Sequence, residues 1–479
     1  MDPTRIKVLN NKLNPSGKSI VYLVSRDLRI KDNHALFYAY NSALNNNLPF
    51  VVVFNLYASV KNRNLNQYRW MIESLLELKV SLKELNIPLY VVKNKTANEL
   101  AELLNKELNP LEVFFDFSPL KGPKSFKDKF AAISTSRTIV VDTHNIVPVW
   151  EASTKEEFGA YTLRPKLKKL LDTYLKPTGR LNPINIKGLD VSTEFIHEWD
   201  FDSLGKDIKA VELNNYSVLV TPGESAANNI VKDFIENKLI NYFKDRNNPT
   251  IDAQSNLSAY LHFGCISALS IALDVIDYCS KRSLEVNFGF KADIKDFDSL
   301  NEDIKLKISA EAFLEELIVR KELADNYCYY NRNYDSLKGA KPWAINTLKS
   351  HLIDKREHIY SLEELEKAST YDAAWNASQI QLLRTGKIHG YMRMYWAKKV
   401  LEWTLDPDTA IKYLIYLNDK YSLDGYDPNG YVGILWSVGG LHDRAWFERP
   451  IFGQIRYMNV NGLARKFDLQ EYINKWIDM

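Results

Sequence analysis

The chain has 479 residues, of which 46% are hydrophobic and 25% are charged, and its formal net charge at pH 7 is +2. This length exceeds one ordinary hydrophobic core, so we expect two domains, and the balance excludes a disordered protein. A net charge near zero does not by itself indicate a nucleic-acid binder, since such binding depends on where Lys and Arg cluster. The longest apolar stretches are too short to span a bilayer, and residues 1–19 lack the apolar centre of a signal peptide.

The three cysteines, Cys265, Cys279 and Cys328, are far apart in the sequence and show no CxxC spacing. We therefore expect neither a disulfide framework nor a metal site. Unpaired cysteines favour a reducing environment, so the sequence indicates an intracellular, soluble protein.

The first third of the chain alternates apolar, β-rich runs with amphipathic helical patterns. The apolar runs are at residues 19–24, 50–56, 89–92, 113–117 and 138–141, and the clearest helical patterns are at 67–85 and 97–108. Such alternation predicts a doubly wound, Rossmann-like parallel sheet over residues 19–148, preceded by an N-terminal extension at 1–18. No GxGxxG pattern is present, so we predict no dinucleotide site there.

The remaining two thirds of the chain read as a connector followed by helices. Proline and glycine punctuate residues 149–222, which predicts a long interdomain connector with one helix near 164–174. From residue 223 the apolar period is mainly 3.6, with the clearest helices at 224–243, 310–327, 374–380 and 391–404. Residues 223–479 are therefore predicted to form an all-helical domain, which makes the fold class α/β plus all-α.

Motifs in both predicted domains resemble those of one known family. Residues 26–33 read RDLRIKDN, 255–267 read SNLSAYLHFGCIS, 313–320 read FLEELIVR, 393–399 read RMYWAKK, 427–431 read DPNGY and 439–446 read GGLHDRAW. In this order they resemble the photolyase and cryptochrome family, and the later motifs resemble its class II branch. Ala259 and Gln254 depart from the family's proline and threonine. The resemblance implies an antenna domain, a helical FAD-binding domain and light-dependent repair of cyclobutane pyrimidine dimers by electron transfer.

The segment before the predicted helix at 259–263 is a candidate site for the FAD pyrophosphate, which needs hydrogen-bond donors. We expect Ser255, Ser258 and the backbone N–H of Leu257 to supply them, although Ser258 alone could be an ordinary helix N-cap. The DPNGY motif adds Asp427 and Asn429 as further cofactor-binding residues.

The resemblance also implies which groups surround the flavin ring. Asn418 takes the position of the asparagine that faces flavin N5, and Arg393 and Asp424 take those of paired charges beside the ring. A structural salt bridge is the alternative for that pair, since buried pairs exist for structural reasons alone. For Asn418 the alternative is a turn or helix-end residue.

Two tryptophans, Trp396 and Trp403, are seven residues apart, which is two turns or about 10 Å along one helix face. Trp375 lies on the preceding predicted helix. Ordinary core packing is the common explanation of such a pair. The resemblance instead implies an electron relay in the order flavin, Trp396, Trp375, Trp403.

A dimer inside a duplex cannot reach a buried flavin, so the resemblance implies a pocket for a flipped-out lesion. Glu316 takes the position of the active-site glutamate that contacts a dimer carbonyl. Its neighbour Glu315 is easily confused with it, and a surface pair with Arg320 is the alternative. Trp436 is the expected aromatic wall, with Tyr391 and Met394 as further lining residues.

The expected partner is UV-damaged double-stranded DNA, bound by a monomer. We expect Arg444 and Arg449, with Arg456, to contact phosphates or the space left by the extruded bases. Lys387, Lys398 and Lys399 could extend this basic surface or simply be solvated. An antenna chromophore in the first domain, either 8-hydroxydeazaflavin or methenyltetrahydrofolate, is possible in this family.

Three other functions stay open at this point. One is a photosensor without repair activity, and another is repair of the (6-4) photoproduct, for which His389 and His442 are the nearest candidate histidines. The third is a helical DNA-binding flavoprotein without photochemistry, which the three tryptophans argue against.

Overall fold

A computed structural model describes residues 2–213, 221–289, 294 and 296–477 of the chain. The first domain is built on a six-stranded sheet with the order β1-β6-β5-β2-β3-β4. Its strands are β1 (Ile6–Asn10), β2 (Ser19–Val24), β3 (Phe50–Leu56), β4 (Leu89–Lys93), β5 (Pro110–Asp116) and β6 (Arg137–Val141). Its helices are the 3₁₀ turn Pro3–Arg5 and the α-helices His34–Asn46, Leu65–Glu84, Ala97–Glu107 and Lys121–Ile133.

Strands β2 to β6 are parallel, which confirms the doubly wound fold. β1 runs antiparallel to β6, with Ile6 opposite Val141. The predicted extension at residues 1–18 is therefore wrong in part, because residues 6–10 complete the sheet as an edge strand. This strand is only partly buried, so its sequence lacks the continuous apolar run that marks β2.

The predicted connector runs back along the first domain before it reaches the helices. It contains the helices Val149–Ala152, Ala160–Tyr174 and Phe201–Gly205, of which the second is the predicted one. Isolated bridges join Val91 to Ile196 and Asn64 to Val211, so the connector pairs with the sheet domain on its way. Residues 214–220, near its predicted end, lie outside the described residues.

The second domain is helical, as the sequence predicts. Its α-helices are Glu224–Asp233, Tyr242–Asp245, Ser258–His262, Ala268–Ser280, Glu302–Leu314, Lys321–Tyr330, Pro342–Ser350, Leu362–Glu366, Ala373–Thr385, Gly390–Glu402, Pro407–Tyr421, Pro428–Gly439, Val460–Ala464 and Leu469–Ile477. Shorter 3₁₀ turns are Leu239–Asn241 and Leu337–Gly339. Across the residues described, no helix is both long and apolar enough to cross a membrane.

Two of the predicted long helices contain π-helical turns. Phe234–Lys238 interrupts the predicted helix at 224–243, and Glu315–Arg320 joins Glu302–Leu314 to Lys321–Tyr330. An inserted π turn shifts the side chains after it around the helix axis, and such turns are frequent at functional sites. The second turn begins with the two glutamates that sequence reasoning found hard to tell apart.

The RDLR and GCIS motifs meet where the two domains join. Arg29 donates to the backbone oxygen of Gly264 at 3.0 Å, and Ser270 donates to Asp32 at 2.6 Å. A Cβ atom at Gly264 would lie 2.2 Å from the backbone oxygen of Arg26, so only glycine permits this approach, and its φ of +63° also favours glycine. These two turns thus hold the helical domain against the sheet.

Candidate active site

The three tryptophans form one continuous buried contact. Trp396, Trp375 and Trp403 are each no more than 1% exposed. The ring of Trp375 stacks on that of Trp396 with centroids 6.5 Å apart and an angle of 7°, and it meets Trp403 edge to face at 5.6 Å. Trp375 therefore lies between the other two, which is the order that the resemblance implies.

The aromatic contact continues beyond Trp403 to the protein surface. The rings of Tyr360 and Tyr371 lie 5.2 and 5.7 Å from Trp403, and Tyr371 is 56% exposed. Sequence reasoning did not identify these tyrosines. Their only signal in the sequence is that they precede Trp375, one on each side of the short helix Leu362–Glu366.

Asn418 lies in the last turn of the helix Pro407–Tyr421 and is 5% exposed. Its amide nitrogen donates to Asp419 at 3.1 Å, and its amide oxygen accepts from the Ser422 hydroxyl at 3.2 Å. A Cβ atom at Gly430 would lie 2.8 Å from the amide nitrogen of Asn418, so the glycine at position 430 leaves space for the Asn418 side chain.

Arg393 and Asp424 form the expected pair, with guanidinium and carboxylate 4.0 Å apart. Their side chains are 27% and 14% exposed, so the pair lines an accessible region rather than a sealed core. The nearby Lys387 donates to Asn256 at 2.5 Å, and burial lowers the pKa of Lys387 to about 8. Asn256 belongs to the segment in which the sequence places the pyrophosphate donors.

In that segment the helix is Ser258–His262, one residue earlier than predicted. Leu257 occupies the N-cap position, and no side chain caps the helix, so Ser258 is not its N-cap. Ser258 is exposed and Ser255 is partly exposed. The hydroxyl groups are therefore accessible to a ligand.

Asp427 lies at the domain junction, where its carboxylate already has several partners. One oxygen accepts from the backbone and side-chain nitrogens of Asn429 at 3.0 Å each, and the other lies 3.1 Å from His262 and 3.5 Å from Arg26. These donors hold the pKa of Asp427 well below its usual range despite burial. Asp427 and Asn429 thus begin the helix Pro428–Gly439, and their contact with a cofactor stays a prediction.

The two adjacent glutamates differ in burial and in partner. Glu315 is 8% exposed and accepts two hydrogen bonds from the Arg164 guanidinium, at 3.0 and 2.7 Å. Glu316 has a side chain that is 44% exposed and accepts from Arg246 at 3.1 Å. The alternative pair with Arg320 is formed by Glu315 instead, at 3.7 Å. Glu316 is therefore the one that a ligand can reach.

Trp436 is partly exposed and has two cations near its ring. The Lys398 ammonium lies 5.1 Å and the Arg456 guanidinium 5.5 Å from the ring centroid. Arg456 also lies 4.3 Å from the centroid of Trp446 and pairs with Asp443 at 3.1 Å. Sequence reasoning did not single out Trp446, which joins this cluster.

Tyr391 and Met394 lie on the helix Gly390–Glu402 and are both partly exposed. Tyr391 packs edge to face against Phe467 with centroids 6.2 Å apart. The place of both residues in a lesion pocket stays a prediction.

Arg444 and Arg449 are exposed on the loop that follows the helix Pro428–Gly439. Each lies over an aromatic ring, Arg444 over Trp446 at 5.4 Å and Arg449 over Tyr457 at 5.1 Å. Both residues are thus exposed, and their contact with phosphates stays a prediction.

The prediction that Lys387, Lys398 and Lys399 extend the basic surface is wrong for the last two. Lys398 is 0% and Lys399 is 5% exposed. Lys398 donates to the backbone oxygen of Ser437 at 2.9 Å, and Lys399 donates to Glu402 at 2.9 Å. Lys387 is partly exposed, but it is turned to Asn256. Burial of these lysines depends on helix packing that a charge count does not reveal.

The two histidines considered for (6-4) repair each contact a neighbouring residue, while the Nε2 atom of each is buried without a hydrogen-bond partner among the described residues. His389 accepts from the backbone nitrogen of Tyr391 at the start of its helix, and His442 packs against the Tyr327 ring at 5.7 Å. Burial lowers their pKa to about 4 and about 3 respectively, so both are neutral at pH 7.

A separate cavity of about 540 Å³ opens where the sheet domain meets the helical domain. Residues that follow β2 and β5 line it, including Ser25, Arg26 and Ser118, and so do Tyr426 and Tyr431 of the helical domain. Because β2 lies between β3 and β5, this is the point at which the chain reverses its winding direction. Doubly wound sheets bind ligands at that point.

Known proteins that resemble this chain match it over nearly its whole length. Residues 20–183 match the family model described as DNA photolyase. A deoxyribodipyrimidine photo-lyase of Arabidopsis thaliana is 41% identical over 99% of this chain and 92% of the relative. One of Potorous tridactylus is 39% identical over 97% and 82%, and one of Methanothermobacter thermautotrophicus is 38% identical over 96% and 94%.

Solved structures share the fold at lower identity. A class III photolyase of Agrobacterium tumefaciens superposes with a TM-score of 0.69 at 19% identity, over 98% of this chain and 87% of that chain. A cryptochrome of Synechocystis gives a TM-score of 0.72 at 15% identity, over 96% and 89%. Since relatives of 38% to 41% identity cover nearly the whole chain, the protein belongs to the photolyase and cryptochrome family.

Proposed function

We propose that the protein is a class II deoxyribodipyrimidine photo-lyase that uses bound FAD and light to split cyclobutane pyrimidine dimers in DNA. The observation that carries this proposal is the buried, continuous contact of Trp396, Trp375 and Trp403. Aromatic rings in van der Waals reach can relay an electron from the surface to a core cofactor, and a protein without redox photochemistry has no need of that path.

The residues around the predicted FAD site fit a large anion with a redox-active ring. Lys387 donates a hydrogen bond to Asn256, which stands between Ser255 and Leu257 in the sequence. Burial makes the positive charge of Lys387 unfavourable. A pyrophosphate at this segment would offset that cost, because an opposite charge favours the charged form of a lysine. Nearby, Arg393 supplies a positive charge and Asp424 a negative charge, and this pair suits a ring with polar edges.

Bound FAD would supply, in its reduced form and under light, the electron that splits the dimer. The protein's own groups bind, orient and exclude water around it. Asn418, buried beside Gly430, presents an amide to the flavin edge. Glu316, which a ligand can reach, hydrogen-bonds a dimer carbonyl, and Trp436 provides the apolar wall against which the flipped bases lie.

DNA is bound through the exposed arginines of the loop after the helix Pro428–Gly439. Photolyases are themselves among the known base-flipping enzymes. Arg444 and Arg449 contact phosphates, while Arg456 between Trp436 and Trp446 can fill the space that the extruded bases leave. We propose that the protein does this as a monomer, which sedimentation equilibrium would test.

The interdomain cavity is the proposed site of an antenna chromophore. Its volume of about 540 Å³ lies in the usual range for small-molecule sites. Aromatic side chains such as Tyr57, Phe126 and Tyr334 suit a planar ring system, and Arg63 suits an anionic tail. Both 8-hydroxydeazaflavin and methenyltetrahydrofolate contain planar rings, whereas only the folate has an anionic tail, and the absorption spectrum of protein loaded with each would distinguish them.

A light-dependent repair assay tests the proposal. Purified protein, reduced and loaded with FAD, is mixed with an oligonucleotide containing one thymine dimer and exposed to blue light or kept in the dark. We expect repair in light alone. Repair in neither condition, with FAD bound, would instead support a photosensor, and a protein that binds no flavin would exclude both functions. A substrate containing a (6-4) photoproduct serves as the matched control and should stay unrepaired.

A further inference from the structure

The orientation of the Asn418 amide decides what this residue offers to a neighbouring flavin. The amide nitrogen donates hydrogen bonds and the amide oxygen accepts them. A terminal amide can turn by half a rotation and exchange the two atoms at almost no steric cost, so only its hydrogen-bond partners fix which atom points where. The partners of Asn418 are therefore informative.

On one side, the partner is the carboxylate of Asp419, which is 4% exposed. An ionised carboxylate only accepts, so the atom of Asn418 that faces it at 3.1 Å is the nitrogen. The same carboxylate accepts from the backbone nitrogen of Tyr426 at 2.9 Å and from the Tyr431 hydroxyl at 3.2 Å. These two donors keep the carboxylate in place.

On the other side, the partner is the hydroxyl of Ser422, one turn further along the chain. It donates to the amide oxygen of Asn418 at 3.2 Å. Exchange of the two amide atoms would place the oxygen against the carboxylate of Asp419 and the nitrogen against the hydroxyl. The first of these contacts is repulsive, so one orientation is strongly preferred.

The backbone that carries these residues is held from the other domain. Gln67 of the sheet domain donates to the backbone oxygens of Asp419 and Ser422 at 3.1 and 2.6 Å, and Asn64 donates to that of Lys420 at 2.6 Å. Asn64 and Gln67 also form the capping box of their own helix, Leu65–Glu84. Their remaining amide groups thus satisfy carbonyls at the end of a second helix, where no intrahelical donor is available.

We propose that Asp419 and Ser422 are positioning residues that fix the amide orientation of Asn418 toward the flavin, on a helix end held by Gln67. This inference rests on the proposed function, in which Asn418 faces the flavin ring. Gly430 belongs to the same arrangement, because any larger residue there would push the amide nitrogen out of place. Asp419 and Ser422 act through Asn418 and touch no reacting atom.

The test measures the midpoint potential of bound FAD in the full-length protein, by titration with a reductant and a reference dye. Asp419→Ala and Ser422→Ala each release one end of the amide. We expect both to shift the potential in the same direction, equivalent to a change of about threefold to tenfold in the ratio of reduced to oxidised flavin, which is the usual effect of one hydrogen bond. Asp419→Asn keeps an acceptor oxygen and should recover most of the shift.

The same substitutions are then made in an Asn418→Ala background. Without an amide to orient, Asp419→Ala and Ser422→Ala should change the ratio of reduced to oxidised flavin by less than about twofold relative to Asn418→Ala alone. The reason is that residues which act through a third residue are not additive with it. An equal shift in both backgrounds would mean that Asp419 acts as a charge, and the proposal would be wrong.

Other outcomes are also decisive. If Asp419→Ala fails to fold, Ser422→Ala and Gly430→Ala test the same orientation from the opposite side and from the space beside the nitrogen. Shifts of opposite sign from the first two variants, or none from any of them while Asn418→Ala shifts the potential, overturn the positioning role alone. A wild-type protein that binds no FAD overturns the proposed function instead.

Discussion

Lys398 gives a prediction whose size follows from its surroundings. Its side chain is fully buried below Trp436, where its ammonium group donates to the backbone oxygen of Ser437 and lies 5.1 Å from the tryptophan ring. Burial lowers the pKa of Lys398 to about 7. Lys398→Met keeps an unbranched side chain of similar length and removes the charge.

The expected gain in stability follows from the difference between the folded and unfolded pKa. A fall from the ordinary value of 10.5 to about 7 corresponds to about 4 kcal/mol at pH 7. The lost hydrogen bond to Ser437 offsets about 1 kcal/mol of this. We therefore expect Lys398→Met to raise the free energy of unfolding at pH 7 by roughly 2–3 kcal/mol.

The pH dependence has a definite sign. Between pH 7 and about 10.5 the unfolded chain binds more protons at Lys398 than the folded chain does, so wild-type stability rises with pH and falls as pH decreases. Urea unfolding of both proteins at pH 7 and pH 9 measures this, and the advantage of Lys398→Met should shrink at the higher pH. A variant that is less stable at pH 7, or an advantage independent of pH, would refute the reasoning.

Four further predictions concern the site. Trp375→Phe should abolish photoreduction of FAD while repair by chemically reduced protein persists, and loss of both would contradict a relay role. Glu316→Ala should lower the repair yield with FAD still bound. Its matched control Glu315→Ala should instead destabilise the fold by about 1–3 kcal/mol, because it leaves the partly buried Arg164 guanidinium without its two hydrogen bonds. Lys387→Met should weaken FAD retention by about tenfold or more on dialysis, whereas unchanged retention would remove Lys387 from the pyrophosphate site. Arg444→Ala should leave FAD retention unchanged, but it should reduce the slope of the logarithm of the DNA-binding constant against the logarithm of salt concentration by about one.

Most of the fold could be predicted from the sequence because its signals are local. β2 and β3 begin and end where the apolar runs do, since both faces of a parallel sheet are buried and the run is continuous. β1 escaped prediction because an edge strand needs little apolar surface. The π turn Glu315–Arg320 was also invisible, since one inserted residue hardly changes a 3.6-residue period.

The site could be predicted only in part, because its contacts join distant segments. The helical spacing of Trp396 and Trp403 is visible in the sequence, but the position of Trp375 between them depends on how two helices pack. Asn64 and Gln67 show a capping-box spacing, yet their contacts with a helix end more than 350 residues later have no local signal. Burial of Lys398 likewise depends on its neighbours rather than on its charge.

The most direct test of the account is a crystal structure of the FAD-loaded protein with DNA that contains a thymine dimer. We predict that the Asn418 amide lies within hydrogen-bond distance of flavin N5, and that the flipped dimer lies against Trp436 with one carbonyl near Glu316. A flavin bound elsewhere, or packed side chains filling the space between Asn418 and Trp436, would contradict it.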